Sequence, residues 1–311
     1  MLTMTDSQVM TLDDGRELGW MEFGDPGGWP VFGFHGTPGS RRQVCTYDAQ
    51  ARAAGVRLVA PDRPGYGFST FHRARRLAGW PADVEKLADH LGIGRFSVVG
   101  VSGGGPPAAA CAALLPGRVA AAGIVSGQGP LTHPHVAADL TVGTRIMASA
   151  ARRCPAVLRL FMSAEVGVAR RFPAFVLRIF LKQLPPADAE VLGRPEMRRL
   201  FQLEMGGASK TTGRAWAQDL TLFALDWGFD LAAIKVPVVL WQGTADQVVP
   251  QQYARVMHEE IPGSRLHDVE GQGHLLLVDG LEMILRELVP AGADRRFTPG
   301  RCAGPGGSEQ D

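Results

Sequence analysis

The segment Ser97-Val98-Val99-Gly100-Val101-Ser102-Gly103-Gly104-Gly105 carries the pattern G-x-S-x-G at Gly100, Ser102 and Gly104. It closes a β-branched apolar run and opens an Ala-rich stretch, so it predicts a strand, a sharp turn and a helix, the context that exposes such a serine for nucleophilic attack. Ser102 on that turn would be backbone-strained, and the residues two before and two after it must lack bulk, a condition Gly100 and Gly104 meet. The amide of Gly103, at the start of the helix, is a natural donor to negative charge developing on a carbonyl oxygen. Taken alone, the pattern is also compatible with a Gly-rich turn that holds an incidental serine.

A serine hydroxyl is a poor nucleophile until a base takes its proton, and the base, a histidine, must in turn be oriented by a carboxylate. Of the 8 histidines, His274 lies in the Gly-flanked loop Val269-Glu270-Gly271-Gln272-Gly273-His274, between the last strand candidate and the C-terminal helix. Loops at the carboxyl ends of strands are where α/β sheets place reactive groups. His35, in Phe34-His35-Gly36-Thr37-Pro38-Gly39-Ser40, also ends a strand but precedes the serine, and reads as a structural brace for its loop. His133 and His135 flank Pro134, where a substrate contact or a metal pair is conceivable; with no further ligand at suitable spacing, an ordinary loop pair is the better reading, and no metal site is expected. Asp246, in Gly243-Thr244-Ala245-Asp246-Gln247-Val248-Val249-Pro250, follows a strand candidate and leads for the acid, although taken by itself it reads better as an Asx-turn or helix-cap residue.

The elements that must hold these groups alternate along the chain. Residues 31–34, 56–60 and 96–101 have the apolar character of buried parallel strands, and helical spacing over 82–91 and an Ala-rich run over 106–115 separate them. Runs at 119–125 and 236–241 extend the same sheet, and helical patterns over 251–261 and 274–288 close it, which predicts a doubly wound α/β architecture. Before this repeat, residues 8–12 and 17–23 flank Asp13-Asp14-Gly15-Arg16, a hairpin signal. Residues 131–225 carry helix after helix with no strand signal and read as an inserted helical cap. The core is then residues 1–130 with 226–290, and the Gly-rich, polar stretch 291–311 reads as a disordered tail.

Composition bounds the partners. Against 32 Lys and Arg stand 31 Asp and Glu, which excludes a polyanion binder by bulk charge, and 45% hydrophobic with 20% charged residues describes a globular chain. Charge is unevenly shared: residues 131–225 hold 13 basic against 7 acidic groups, leaving 19 against 24 elsewhere. A solvated helix face explains that most simply, with steering of an anionic substrate or approach to a membrane surface as the sharper readings. The four cysteines, Cys45, Cys111, Cys154 and Cys302, lack metal or redox spacing and read as free thiols. No apolar run is long enough for a signal-peptide core or a membrane span, so a cytoplasmic location is expected, with no nucleic-acid partner; a homodimer stays open.

With these residues in place, the chain resembles the α/β-hydrolase superfamily over about residues 11–289. The order Ser102, Asp246, His274 matches that family's nucleophile, acid and histidine after its fifth, seventh and eighth strands. His35-Gly36-Thr37-Pro38 looks like its oxyanion loop, which implies that Thr37 donates a backbone amide alongside Gly103. Asp62-Arg63-Pro64-Gly65-Tyr66-Gly67-Phe68-Ser69 is similar to the family's D-x-x-G-x-G-x-S turn after the fourth strand. Epoxide hydrolases and haloalkane dehalogenases share such loops but use Asp as nucleophile, so Ser102 argues against both. Proline iminopeptidases usually place two glycines before the loop proline, and here Thr37 takes the second place. The resemblance implies a cofactor-independent serine hydrolase of an ester, thioester or lactone of a small or medium apolar compound. A proline-iminopeptidase-like or carbon–carbon-bond hydrolase is the nearest alternative, and a non-hydrolytic small-molecule binder on the same fold an alternative of another class. The apolar cap stretches at Leu158, Leu160, Phe161 and Met162 and over 175–181 are expected over the cleft, mostly packed between cap helices.

Overall fold

In the computed structural model, which describes residues 8–138, 140–205 and 212–292, eight strands form one sheet. They are β1 (Gln8–Thr11), β2 (Glu17–Gly24), β3 (Trp29–Phe34), β4 (Val56–Pro61), β5 (Phe96–Val101), β6 (Val119–Val125), β7 (Val238–Gly243) and β8 (Arg265–Val269). Their order in space is β1-β2-β4-β3-β5-β6-β7-β8. The expected hairpin joins β1 to β2, with Gly15 at a φ of 81° and the Leu12 amide donating to Arg16 O at 2.7 Å. That left-handed step is what the Asp-Gly turn supplies. β2 runs antiparallel to β4, and every pairing from β4 through β3 to β8 is parallel.

This order places the site. The chain passes from β3 outward to β4, then returns across β3 to β5, so the direction of winding reverses between β3 and β5. In an open α/β sheet the loops diverge at such a reversal and leave a crevice at the carboxyl ends of the two strands. Phe34 is in register with Gly100, which sets the loop of His35 beside the turn of Ser102.

Alternate residues of the central strands bury on opposite faces, as a sheet covered on both sides requires. Phe32, Val98, Ile124 and Leu240 pack with Val84 and Leu87 of α2 (Trp80–His90), Ala108 of α3 (Gly105–Leu114) and Met257 of α11 (Gln251–Glu260). Val31, Leu58, Val99 and Trp241 pack with Ala51 of α1 (Asp48–Ala53) and Leu281 and Leu285 of α12 (Leu277–Glu287). Fully burying a side chain of this kind contributes about 1.5–3 kcal/mol. α12 begins at Leu277, later than the helical spacing suggests, which leaves His274 in the loop ahead of it.

Between β6 and β7 the described chain is helical: α4 (Pro134–Ala138), α5 (Val142–Arg153), α6 (Pro155–Arg171), α7 (Pro173–Gln183), α8 (Pro186–Gly193), α9 (Pro195–Met205) and α10 (Gly213–Phe223). Proline opens α6, α7 and α8, where its missing N–H costs nothing and its fixed φ suits the first turn. Ala148 and Ala151 of α5, Leu158 and Met162 of α6, and Ala217 and Phe223 of α10 belong to the same apolar cluster as α2 and α3. Leu177, Val191, Leu192, Met197 and Leu200 form a smaller cluster among α7, α8 and α9. Leu160, Phe161, Phe175, Ile179 and Phe180 depart from the expected inward packing, because they are exposed. No helix among the described residues is long and apolar enough to cross a membrane. Cys45, Cys111 and Cys154 are free thiols. Cys302, and the expected tail from residue 293 onward, lie outside the described residues.

Candidate active site

Ser102 opens a short 3₁₀ turn (Ser102–Gly104) between β5 and α3, at a φ of 55°. That left-handed conformation costs a non-glycine residue roughly 1–2 kcal/mol and persists only where its surroundings enforce it. They do so by close approach. A Cβ at Gly100 would overlap the carbonyl of Gly104, and one at Gly104 would overlap the carbonyl of Phe34. Ser126, at the end of β6, shares the positive φ but is wholly buried.

The loop after β3 lies over this turn. A Cβ at Gly36 would stand 3.5 Å from Ser102 Cβ, and one at Gly103 would overlap the Thr37 side chain, so Thr37 and Gly103 are in contact beside Ser102. His35 is buried beneath the loop. Its Nε2 accepts the Arg63 amide at 3.1 Å, so Nδ1 carries the proton and donates to Gly36 O at 2.8 Å. Burial, reinforced by the Arg63 guanidinium, drives its pKa well below the ordinary histidine value. A ring kept neutral and doubly hydrogen-bonded is a brace for the loop.

Asp246 makes both kinds of contact that its sequence context offers. Oδ1 accepts the amides of Val248 at 2.8 Å and Val249 at 2.9 Å, closing an Asx-type turn. Oδ2 accepts His274 Nδ1 at 2.9 Å and Gln242 Nε2 at 3.1 Å. Burial alone would raise this carboxyl, but the His274 contact and the two amides outweigh it and hold it below the usual carboxylate range. His274 Nδ1 is thereby committed as a donor, which leaves Nε2 as the ring's basic nitrogen. Two loops are stitched together to fix this pair: Thr244 N donates to Val269 O at 3.1 Å and Ala245 N to Gln272 O at 2.9 Å. Ser102 and His274 are not joined by a hydrogen bond.

His133 stands apart from this cluster, with Nε2 3.1 Å from Glu260 Oε1 and its ring 5.4 Å from that of His135. No group of three or more His, Cys, Asp or Glu side chains among the described residues could hold a metal ion.

Three buried acids of the inserted helices, absent from the sequence reading, reach these same loops. Asp188 of α8 accepts the backbone amides of His274 at 2.9 Å and Leu275 at 2.7 Å, clamping the histidine's backbone. Asp219 of α10 accepts Thr37 Oγ1 at 2.6 Å, Tyr66 OH at 2.8 Å and Arg63 Nη2 at 2.8 Å, and pairs with Arg75. Burial would raise Asp219, but Arg75 and Arg63 outweigh it and hold the carboxyl well below its ordinary range. Glu204 of α9 accepts Ser40 Oγ at 2.9 Å.

Burial pushes Glu204 up to about 7 from an ordinary value of 4.5, with the Ser40 hydrogen bond opposing the shift. Between those pH values the folded chain holds a proton that the unfolded chain has released, so stability falls as pH rises through this window and levels off above it. The change is at most about 3 kcal/mol, from the 1.4 kcal/mol that each pH unit represents. Glu204→Gln should remove this fall, which thermal unfolding of both proteins across the window will measure.

Comparison with known proteins agrees with the architecture. Residues 30–281 match the family model described as alpha/beta hydrolase fold, and the chain belongs to that family. An uncharacterized hydrolase of Bacillus subtilis, YcgS, is 24% identical over 86% of this chain and 92% of its own length. A probable proline iminopeptidase of Streptomyces coelicolor is 30% identical over 68% of this chain, which spans 59% of that protein. Among solved structures, an esterase of Exiguobacterium antarcticum superposes with a TM-score of 0.65 at 21% identity, covering 90% of this chain and 97% of its own.

Proposed function

We propose that the chain is a serine hydrolase that cleaves an ester, thioester or lactone of a small or medium apolar compound through an acyl-enzyme. Ser102 is its nucleophile, His274 its general base and acid, and Asp246 the orienting carboxylate. The observation that carries this reading is the Asp246–His274 hydrogen bond, together with a serine held at positive φ in the turn after β5. Residues 131–225 act as the cap over a core of 1–130 and 226–290.

In the first half-reaction His274 Nε2 takes the Ser102 hydroxyl proton while Oγ attacks the carbonyl carbon. The Gly103 and Thr37 amides donate to the tetrahedral oxyanion, each worth about 3–4 kcal/mol where such a donor has been removed elsewhere. Collapse breaks the bond to the leaving group, which departs with the proton from His274. Water then repeats the sequence on the acyl-Ser102 ester. Asp246 keeps Nδ1 protonated throughout and stabilises the imidazolium formed at each step. No cofactor enters.

The iminopeptidase relative raises a second reading, in which a substrate α-ammonium would need a carboxylate beside the nucleophile. Asp219 and Asp188 commit their oxygens to Arg63, Arg75 and two backbone amides, and Glu204, pushed up to about 7 by burial, accepts the Ser40 hydroxyl, which favours the ester reading. The test is a fluorophosphonate probe followed by intact mass and peptide mapping. Label on Ser102 of the wild type, lost in His274→Ala, is the expected result; a folded wild-type chain that takes no label would overturn the mechanism in favour of a non-hydrolytic binder.

A further inference from the structure

The exposed apolar residues of the inserted helices fall into a pattern. In α6, Leu158, Met162 and Ala169 are buried, while Val157, Phe161, Ala164 and Val168 recur at spacings of four, three and four residues on another side. At 3.6 residues per turn, that second stripe stands roughly 100° around the helix from the buried one. Val157, Leu160, Phe161 and Val168 are 63%, 73%, 51% and 51% exposed. The neighbours repeat the motif one helical turn apart, with Val142 and Ile146 in α5 and Phe175 and Ile179 in α7 all exposed. α6 packs against both helices, so the exposed residues lie on one contiguous body. Large apolar side chains left out singly are ordinary, but a succession of them on adjoining helices marks an interaction surface.

The charge around them is one-sided. Residues 142–183 contain eight Arg and Lys and a single acid, Glu165. All eight cations are exposed, and Arg152, Arg159, Arg171, Arg178 and Lys182 have no carboxylate partner among the described residues. A second copy of the chain is a poor occupant, because a two-fold interface sets a patch against itself and would oppose cation to cation. An anionic bilayer answers both features. Apolar side chains on the outer side of a helix enter the boundary between headgroups and acyl chains, and long basic side chains beside them reach the lipid phosphates.

We infer that α5, α6 and α7 form a docking face for anionic lipid bilayers, with Val142, Leu160, Phe161 and Phe175 entering the headgroup boundary and the flanking arginines pairing with phosphate. The chain then lies on the membrane without crossing it. This goes beyond the hydrolase reading and does not depend on it, since binding needs neither Ser102 nor His274.

The test is cosedimentation of the full chain with phosphatidylcholine vesicles, with and without about 30 mol% phosphatidylglycerol, over a range of salt concentrations. Binding should require the anionic lipid and weaken as salt rises. The double variants Leu160→Asp/Phe161→Asp and Arg152→Glu/Arg159→Glu should each lower partitioning at least about tenfold. These positions are exposed, so circular dichroism and thermal unfolding should match the wild type. Equal sedimentation with and without the anionic lipid, or binding untouched by the apolar pair, would overturn the assignment. So would light scattering that finds a dimer made monomeric by the apolar pair, with no vesicle binding.

Discussion

Ser102→Ala should lower hydrolysis of an activated ester by roughly 10⁴–10⁶-fold, the range seen when the nucleophile of such a unit is deleted elsewhere. The substitution removes one oxygen from a partly exposed side chain, and Ala meets the same left-handed backbone as Ser, so thermal unfolding should change little. Ser102→Gly separates the two properties further. Glycine adopts a φ of 55° without penalty, so this variant should be equally inactive yet more stable by about 1 kcal/mol. Inactivity with a gain in stability is the signature of a residue strained for chemistry rather than for folding. Ester turnover and thermal midpoints of the three proteins decide it; hydrolysis retained by Ser102→Ala would sink the assignment.

How far the sequence discloses this arrangement depends on the range of the interactions. Local patterns carry the sheet: the alternation of apolar runs and helices, the Asp-Gly hairpin and the Gly-x-Ser-x-Gly turn are each written within a dozen residues. Asp246 is legible in type but divided in role, since its turn and its pairing with His274 occupy different oxygens of one carboxylate. Asp188 and Asp219 are invisible locally, because each sits in a helical stretch where an acid reads as solvated surface. Their partners lie 86 and 156 residues away in His274 and Arg63, and only the docked insertion brings them together. α6 misleads for a related reason. Its sequence offers two apolar stripes, one through Leu158 and Met162 and one through Val157 and Phe161, and helical periodicity does not tell which faces the core. Packing on α5 and α10 buries the first and leaves the second out.

Asp219→Ala should destabilise the fold by about 3–5 kcal/mol, the usual consequence of removing one partner from a buried ion pair. The side chains of Arg63 and Arg75 are only 3% and 7% exposed, and both would be left facing a methyl group. For a chain of this size the loss corresponds to a thermal midpoint lower by roughly 5–8 °C. The pH dependence is equally specific. A carboxyl held below its ordinary range contributes its full stabilisation above the unfolded value of 3.8 and loses it only as pH falls through the folded one. The Asp219 contribution is therefore constant over the window in which Glu204 titrates, so Asp219→Ala should shift the whole stability curve down without altering its slope there, whereas Glu204→Gln alters the slope. The same substitution releases the Thr37 hydroxyl and Tyr66, so any loss of ester turnover measured well below the new midpoint reports how far Asp219 positions the loop of Thr37. Unfolding of Asp219→Ala within about 1 °C of the wild type, less than a single kcal/mol produces, would show that the arginines find water or other partners and that the network does not tie the insertion to the core.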